Sequence, residues 1–417
     1  MKKLQQKNKS QNLQNTNTKY NKVENNEKLN SDIKNELTNI SNNTISTNNS
    51  SPKEKEIFDE VKDKERRLKV LEQIEERRKI KELQLKKERE RRRKILLGVT
   101  NIVVNKNGLK NLGNTCYMNT CLQLLIHCSP FIEKLFIEEP KEKLSNNFYN
   151  LCNSQISNIS TPTELKNEFA NKHNNYIGYK QHDTQEFCRL FLEDISNEMN
   201  KVKINPPYIE LKNDNKTKIQ LNYEFDKIFK RREDSIVVDT FYGQIINIFQ
   251  CKCGLESYSY EKFLDIPLLI KEKGKQKVNN LLEKFFENDT IEWNEKCKEC
   301  KKKKEHKKLV KIAYPPEILI ISLQRYDVRL KKKNNCKIVF TENIDLKKFS
   351  DKDCVGDYST KYNLIGIGNH TGSMDFGHYY AIINIQNKWY EFNDSNCNEI
   401  KLNQVSDTAY IFVYERE

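Results

Sequence analysis

Apolar positions are sparse over the first hundred residues and become frequent from about Asn105 onward, so the chain reads as an extension followed by a folded domain. Within 119–128, Leu122, Leu125 and Ile126 share one helical face ahead of Pro130, which predicts a buried helix. Helical spacing also predicts helices over 163–170 and 183–199. Farther along the period falls to two. The β-branched and aromatic runs "EILIISLQRY", "KYNLIGIG", "HYYAIINI", "KWYEF" and "TAYIFVY" are bounded by Gly, Asn or Asp and predict strands. Helices first and strands later imply an α+β domain with segregated layers, assigned to 105–417.

The extension divides in two. Residues 1–51 are rich in Asn, Lys, Gln, Ser and Thr, cannot bury enough apolar surface to offset ordering, and are expected to be disordered. Residues 52–98 switch to Glu, Lys, Arg, Leu and Ile and are read as a charged helix or tether ended by Gly98. Leu68, Leu71, Ile74, Ile80 and Leu83 recur there without a sustained heptad, so a solvated helix is the first reading and a coiled coil the second.

The chain's 417 residues carry a net charge of +14, which raises the question of a nucleic-acid partner. Most of that charge lies ahead of residue 105, so it belongs to the extension, whose basic helix is open to nucleic acid or to another protein. Against a nucleic-acid role stands the plain alternative of a solvated charged face. No apolar leader follows the opening lysines and no run approaches the ~20 apolar residues of a membrane span, so a soluble intracellular protein with no membrane partner is expected, in the cytoplasm or nucleus. Twelve cysteines in a chain of this length are not a dense disulfide framework, and grouped ones point to metal binding or catalysis.

Cys116 stands in "NLGNTCYMNT", after a turn and ahead of helical residues. At a helix start its sulfur would meet unsatisfied N–H groups and the positive end of the helix dipole, which favours thiolate. Asn111 and Asn114 supply amide donors for an oxyanion. A buried structural thiol remains the alternative. A nucleophilic cysteine needs a base, and of His127, His173, His182, His306, His370 and His378 the last opens a strand after Gly377. In a hairpin centred near 385–387 the residue opposite 378 falls at 393–395, which brings Asn393 or Asp394 beside the imidazole. Such a third group fixes the tautomer and direction of the ring.

These segments resemble the ubiquitin-specific protease family of papain-like deubiquitinases. "GLKNLGNTCYMNTCLQ" is similar to its Cys box and "GHYYAIINIQNKWYEFNDS" to its His box. Between them "KQHDTQEF", "FYGQ" and "PPEILIISLQRY" resemble further family segments, and "AYIFVY" the closing strand, all in family order. The resemblance implies a papain-like fold with a helical thumb, a β-rich palm and zinc-ribbon-like fingers. It also implies Cys116 as nucleophile, His378 as base, Asn111 as oxyanion donor, and Asn393 or Asp394 as the third member. Gln181, Asp183, Gly377 and Tyr379 become candidates to hold the substrate tail; for Gln181 and Asp183 the alternative is to cap and stabilise the 183–199 helix.

The implied reaction is thiol-dependent hydrolysis after the C-terminal glycine of ubiquitin, with ubiquitin and ubiquitinated proteins as partners and no catalytic cofactor. A catalytically silent ubiquitin-binding scaffold is the rival reading. The family's fingers carry two Cys-x-x-Cys pairs. Here Cys297 and Cys300 form one, whereas Cys251 and Cys253 are one residue closer together; structural zinc on these four is expected, with His306 as a substitute ligand.

Overall fold

The computed structural model describes residues 93–417 apart from 156–157, 208, 212–215, 271–273, 293–296, 302–304, 328–331 and 374–375, together with scattered residues between 66 and 91. The chain divides into two units at residues 90 and 91. In the first, the described residues are helical and exposed; the expected disordered segment 1–51 and most of the charged stretch lie outside the described residues. In the second, Gly98 does not end a helix, contrary to expectation: residues 93–103 are helical throughout. An interior glycine costs about 1 kcal/mol of helix propensity, and burial of Val99 and Ile102 in the domain core offsets it.

Five helices form the first layer: α1 (Cys116–Ile126), α2 (Ser129–Glu138), α3 (Lys143–Ser154), α4 (Thr163–Lys172) and α5 (Thr184–Glu198). Pro130 opens α2 instead of closing the helix before it, because a proline in the first turn has no donor to lose. All residues of α1 are buried, so its apolar pattern is not a stripe. The helix 183–199 begins one residue later than expected because Asp183 is its cap: the carboxylate accepts from the Gln185 and Glu186 N–H groups at 2.8 and 3.0 Å. Phe148, Phe169, Phe187 and Phe191 interlock between the helices, with Phe148 and Phe191 edge to face at 5.4 Å. Two further helices follow, α6 (Lys218–Lys230) and the short α7 (Ile236–Phe241).

The strands used below are β1 (Gly243–Cys251), β2 (Glu256–Phe263), β3 (Asp265–Leu269), β4 (Asp289–Glu292), β5 (Glu305–Tyr314), β6 (Ile318–Gln324), β7 (Asn343–Asp345), β8 (Lys361–Gly372), β9 (Gly377–Ile385), β10 (Lys388–Asn393), β11 (Asn396–Ile400) and β12 (Ala409–Arg416). An eight-stranded sheet runs β11-β10-β9-β8-β12-β6-β3, with β7 beside β8. A second, four-stranded sheet runs β2-β1-β5-β4. The predicted strands are present, and the mixed architecture of helical layer and sheet is the one expected.

Alternation decides which face each strand buries. In β9, Tyr379, Ala381, Ile383 and Ile385 turn inward toward the helices. Helix α1 lies on β8 because Gly366 leaves room: a Cβ there would come within 2.7 Å of Leu124. The nucleophile helix thus rests on the sheet whose next strand carries His378. Among the described residues no single helix is long and apolar enough to cross a membrane.

Candidate active site

The turn before α1 is held by its own side chains. Asn111 Oδ1 accepts from the Gly113 and Thr115 N–H groups at 2.9 and 3.1 Å, and Thr115 Oγ1 from the Leu112 N–H at 2.8 Å. Gly113 and Asn114 take left-handed conformations, φ 100° and 55°, and the chain then enters α1 at Cys116, a buried residue. Thr115 is the N-cap residue but makes no side-chain cap. The first-turn N–H groups beside the sulfur therefore keep their positive end unneutralised.

His378 stands at the start of β9, and the β9–β10 hairpin brings Asn393 to it. The ladder pairs Ile385 with Lys388 and Ala381 with Phe392, and beyond it His378 Nε2 lies 2.7 Å from Asn393 Oδ1. An amide oxygen only accepts, so Nε2 carries the hydrogen and Nδ1 is the nitrogen that faces Cys116. The hydrogen bond to Cys116 raises the imidazole to about 9, with Asn393 adding to the rise and burial opposing it. The ring is therefore held ready to be an imidazolium.

Asp394 has a different duty. Its backbone turns left-handed, φ 49°, which aims the carboxylate at the nucleophile segment: Oδ2 accepts from Asn111 Nδ2 at 2.9 Å and Oδ1 from Asn119 Nδ2 at 2.8 Å. Its carbonyl accepts from the Leu109 N–H at 2.9 Å. Of the two residues left open by the sequence, Asn393 holds the ring. Asp394 fixes the amide of Asn111, whose oxygen is taken by backbone donors and whose nitrogen keeps one N–H to spare. Asn119 escaped the sequence reading. Its only sign was a polar residue one turn after Cys116 in a helix that is otherwise mostly apolar.

The remaining candidates build walls. Gln181 clasps the backbone of Gly377 in both directions, Nε2 to the carbonyl and Oε1 from the N–H, each at 3.1 Å. Asp183 Oδ2 accepts from the hydroxyls of Tyr379, at 3.4 Å, and Tyr410. Both side chains are thus committed within the chain, Asp183 as the cap already weighed against tail binding. Under Gly377 lies His370, unassigned by the sequence, with Nδ1 2.8 Å from Lys333 Nζ and 2.9 Å from the Tyr326 hydroxyl. Burial, then the Lys333 charge, lowers it to about 4, so it stays neutral. His127 is a core histidine bonded to the Gln123 carbonyl at 2.8 Å.

At one end of the four-stranded sheet the sulfurs of Cys251, Cys253, Cys297 and Cys300 all lie within 4.8 Å of one another. Gly254, at φ 94°, turns the shortened first knuckle back so that both its thiols face the second pair, with Cys253 and Cys297 3.6 Å apart. The Cys300 N–H beside Cys297 lowers that thiol to about 6. Four thiols converging in this way could bind a zinc ion. His306 pairs with Cys251 along the ladder but is outside the four-sulfur cluster.

A helix-start cysteine, an imidazole facing it and an amide orienting the imidazole, set between a helical layer and a sheet, define a thiol-hydrolase type of site. Residues 107–414 match the family described as Ubiquitin carboxyl-terminal hydrolase, and the chain belongs to that family. It is 30% identical over 328 residues to Drosophila melanogaster ubiquitin carboxyl-terminal hydrolase Usp2, covering 74% of this chain and 34% of the relative. To human ubiquitin carboxyl-terminal hydrolase 2 it is 28% identical, covering 74% and 54%. The Gallus gallus counterpart is 29% identical, with 75% and 94% covered. The chain thus spans about half or less of the first two relatives. Among solved structures it resembles a chain of the SAGA DUB module Ubp8/Sgf11/Sus1/Sgf73 bound to monoubiquitin, with TM-score 0.61, 24% identity, and 76% and 70% covered.

Proposed function

We propose that this chain is a deubiquitinase that hydrolyses the bond after the C-terminal glycine of ubiquitin, through an acyl-enzyme on Cys116. The observation that carries the reading is the orientation of the His378 ring, whose Nε2 is held by Asn393 at 2.7 Å, in a cleft that also holds the buried helix-start Cys116. Family membership and the relatives' shared designation support ubiquitin as the substrate.

In the first half-reaction the Cys116 proton passes to His378 Nδ1, the sulfur bonds to the glycine carbonyl carbon, and the spare N–H of Asn111 and the first-turn N–H groups of α1 receive the oxyanion. The C–N bond then breaks and His378 Nδ1 gives its proton to the departing amine. In the second, the same nitrogen takes a proton from water as the hydroxide adds to the acyl carbon, the C–S bond then breaks to return the Cys116 thiolate beside the protonated ring, and ubiquitin leaves with a free carboxylate. Positioned proton transfer of this kind contributes about 10²–10⁴-fold. Zinc on Cys251, Cys253, Cys297 and Cys300 would cross-link the turn after β1 to the segment before β5 and take no part in these steps.

Ubiquitin carrying a C-terminal electrophile tests the reading. Covalent attachment to wild type that is lost in Cys116→Ala is the expected result. Ubiquitin binding with no attachment would instead identify a silent scaffold.

A further inference from the structure

Lys333 is drawn into the end of β8 without belonging to it. Tyr326–Asp327 and Lys332–Lys333 form a short antiparallel pair after β6, and its ladder sets Tyr326 directly opposite Lys333. Opposed residues send their side chains to one face, and both of these reach His370 Nδ1, the hydroxyl at 2.9 Å and the ammonium at 2.8 Å. Lys333 Nζ donates further to the His370 carbonyl at 2.7 Å and the Gly372 carbonyl at 3.4 Å. Three N–H groups thus meet three acceptors, all within the last three residues of β8. These partners are neutral, so the ammonium gains no ion-pair energy from them to offset its loss of water, an arrangement better suited to holding position than to adding stability.

The residues it holds are those that register β9. The β8–β9 ladder pairs Gly372 with Gly377, Thr371 with His378 and His370 with Tyr379. The His370 ring is buried and fills the space beneath Gly377, where a Cβ would come within 2.0 Å of His370 Nε2. Its centre lies 4.4 Å from that of the Tyr379 ring. Contacts this close transmit a displacement instead of absorbing it, because a packed interior has no slack beside them. A shift of His370 therefore moves Gly377, and His378 is the next residue.

Resting on the deubiquitinase reading, we propose that Lys333 is a positioning residue for the base: by tying the His370 ring to the last carbonyls of β8, it fixes the start of β9 and with it the place of His378. It acts through His370 and Gly377, not on the reacting atoms. The clamp depends on charge. The titratable and charged groups facing Lys333 are Tyr326 across the pair, Arg325 beside it, His370 on β8 and Asp407 ahead of β12. Burial, then the Arg325 charge, lowers the ammonium to about 8, with Asp407 opposing. Above that value two hydrogens remain for three acceptors.

Two measurements on the full chain test this, with a peptide bearing ubiquitin on a lysine as substrate and completed labelling by ubiquitin with a C-terminal electrophile as the count of competent sites. Lys333→Met keeps the stem and removes the three N–H groups. At about pH 7 its kcat per labelled site should fall about tenfold, with KM within about twofold of wild type. A lysine that merely stabilised the fold would lower the number of labelled sites and leave kcat per site unchanged, and that result would overturn the proposal. The second measurement needs no variant. Wild-type kcat should decline as pH rises through about 8, ahead of the decline that His378 imposes on losing its proton near 9. A single decline near 9 would overturn the proposal even where Lys333→Met did not fold. A wild type that neither cleaves the conjugate nor labels is a separate failure, that of the deubiquitinase reading, and takes the proposal with it.

Discussion

Asn393 and Asp394 are neighbours in sequence with side chains of nearly one shape, and the fold uses them on opposite halves of the cleft. Asn393 is a neutral acceptor for the His378 ring; Asp394 is an anionic acceptor for two amides of the nucleophile segment. Replacement of Asn393 by alanine should lower kcat about 10²-fold with little change in KM, since it frees the ring without touching the tail's walls; steady-state kinetics on a ubiquitin conjugate checks this. The ring also makes stability depend on pH. Its folded value of about 9 stands above the ordinary ~6.5 of an unfolded histidine. Its contribution is therefore fully present below about pH 6.5 and is lost as pH rises through about 9. Because the Cys116 hydrogen bond is the largest cause, the melting temperature of wild type minus that of Cys116→Ala should shrink between pH 6 and pH 10. A difference that stays constant across that range would contradict this account of the ring.

At the scale of elements, α5 shows how one residue serves fold and site together. Asp183 caps the helix with one oxygen and satisfies two tyrosine hydroxyls with the other. Asp183→Ala should cost about 1 kcal/mol for the cap and about 1–3 kcal/mol for the hydroxyls left unpaired, while Asp183→Asn should lose less; urea unfolding measures both. Much at this scale was legible. Period-two runs located β6, β8, β9, β10 and β12, and the hairpin centre located Asn393 to within a residue of its partner. Helix α3 was passed over although Leu144, Phe148, Leu151 and Cys152 line its buried face, because its asparagines lower its propensity. Helix α6 was passed over because Leu221 is its only buried residue among those described; its sign was the capping box Thr217 to Gln220. Gly98 was misread as a terminator because only the core, invisible in local sequence, keeps Val99 and Ile102 helical.

At the scale of the whole molecule, the four-stranded sheet ends in cysteines whose local spacing departs from a paired Cys-x-x-Cys pattern. A shortened knuckle still converges because Gly254 supplies the left-handed turn. We expect about one zinc per chain by metal analysis, and Cys297→Ser or a strong chelator to lower the melting temperature and release that zinc. The class of the site was legible because its motifs are contiguous in the chain. The contacts that join them were not, since nothing local to Asn111, Asn119 or Leu109 announces a partner at Asp394.

That junction has a consequence for the chain's biosynthesis. Asn111 and Asp394 are 283 residues apart, so on the ribosome the nucleophile emerges long before the residue that orients its turn and the histidine that serves it. Closing so long a loop comes late in folding. A nascent chain that already exposes Cys116 therefore has no assembled cleft until the strands that carry His378 and Asp394 have emerged and paired, so the nucleophile exists for a time without its base.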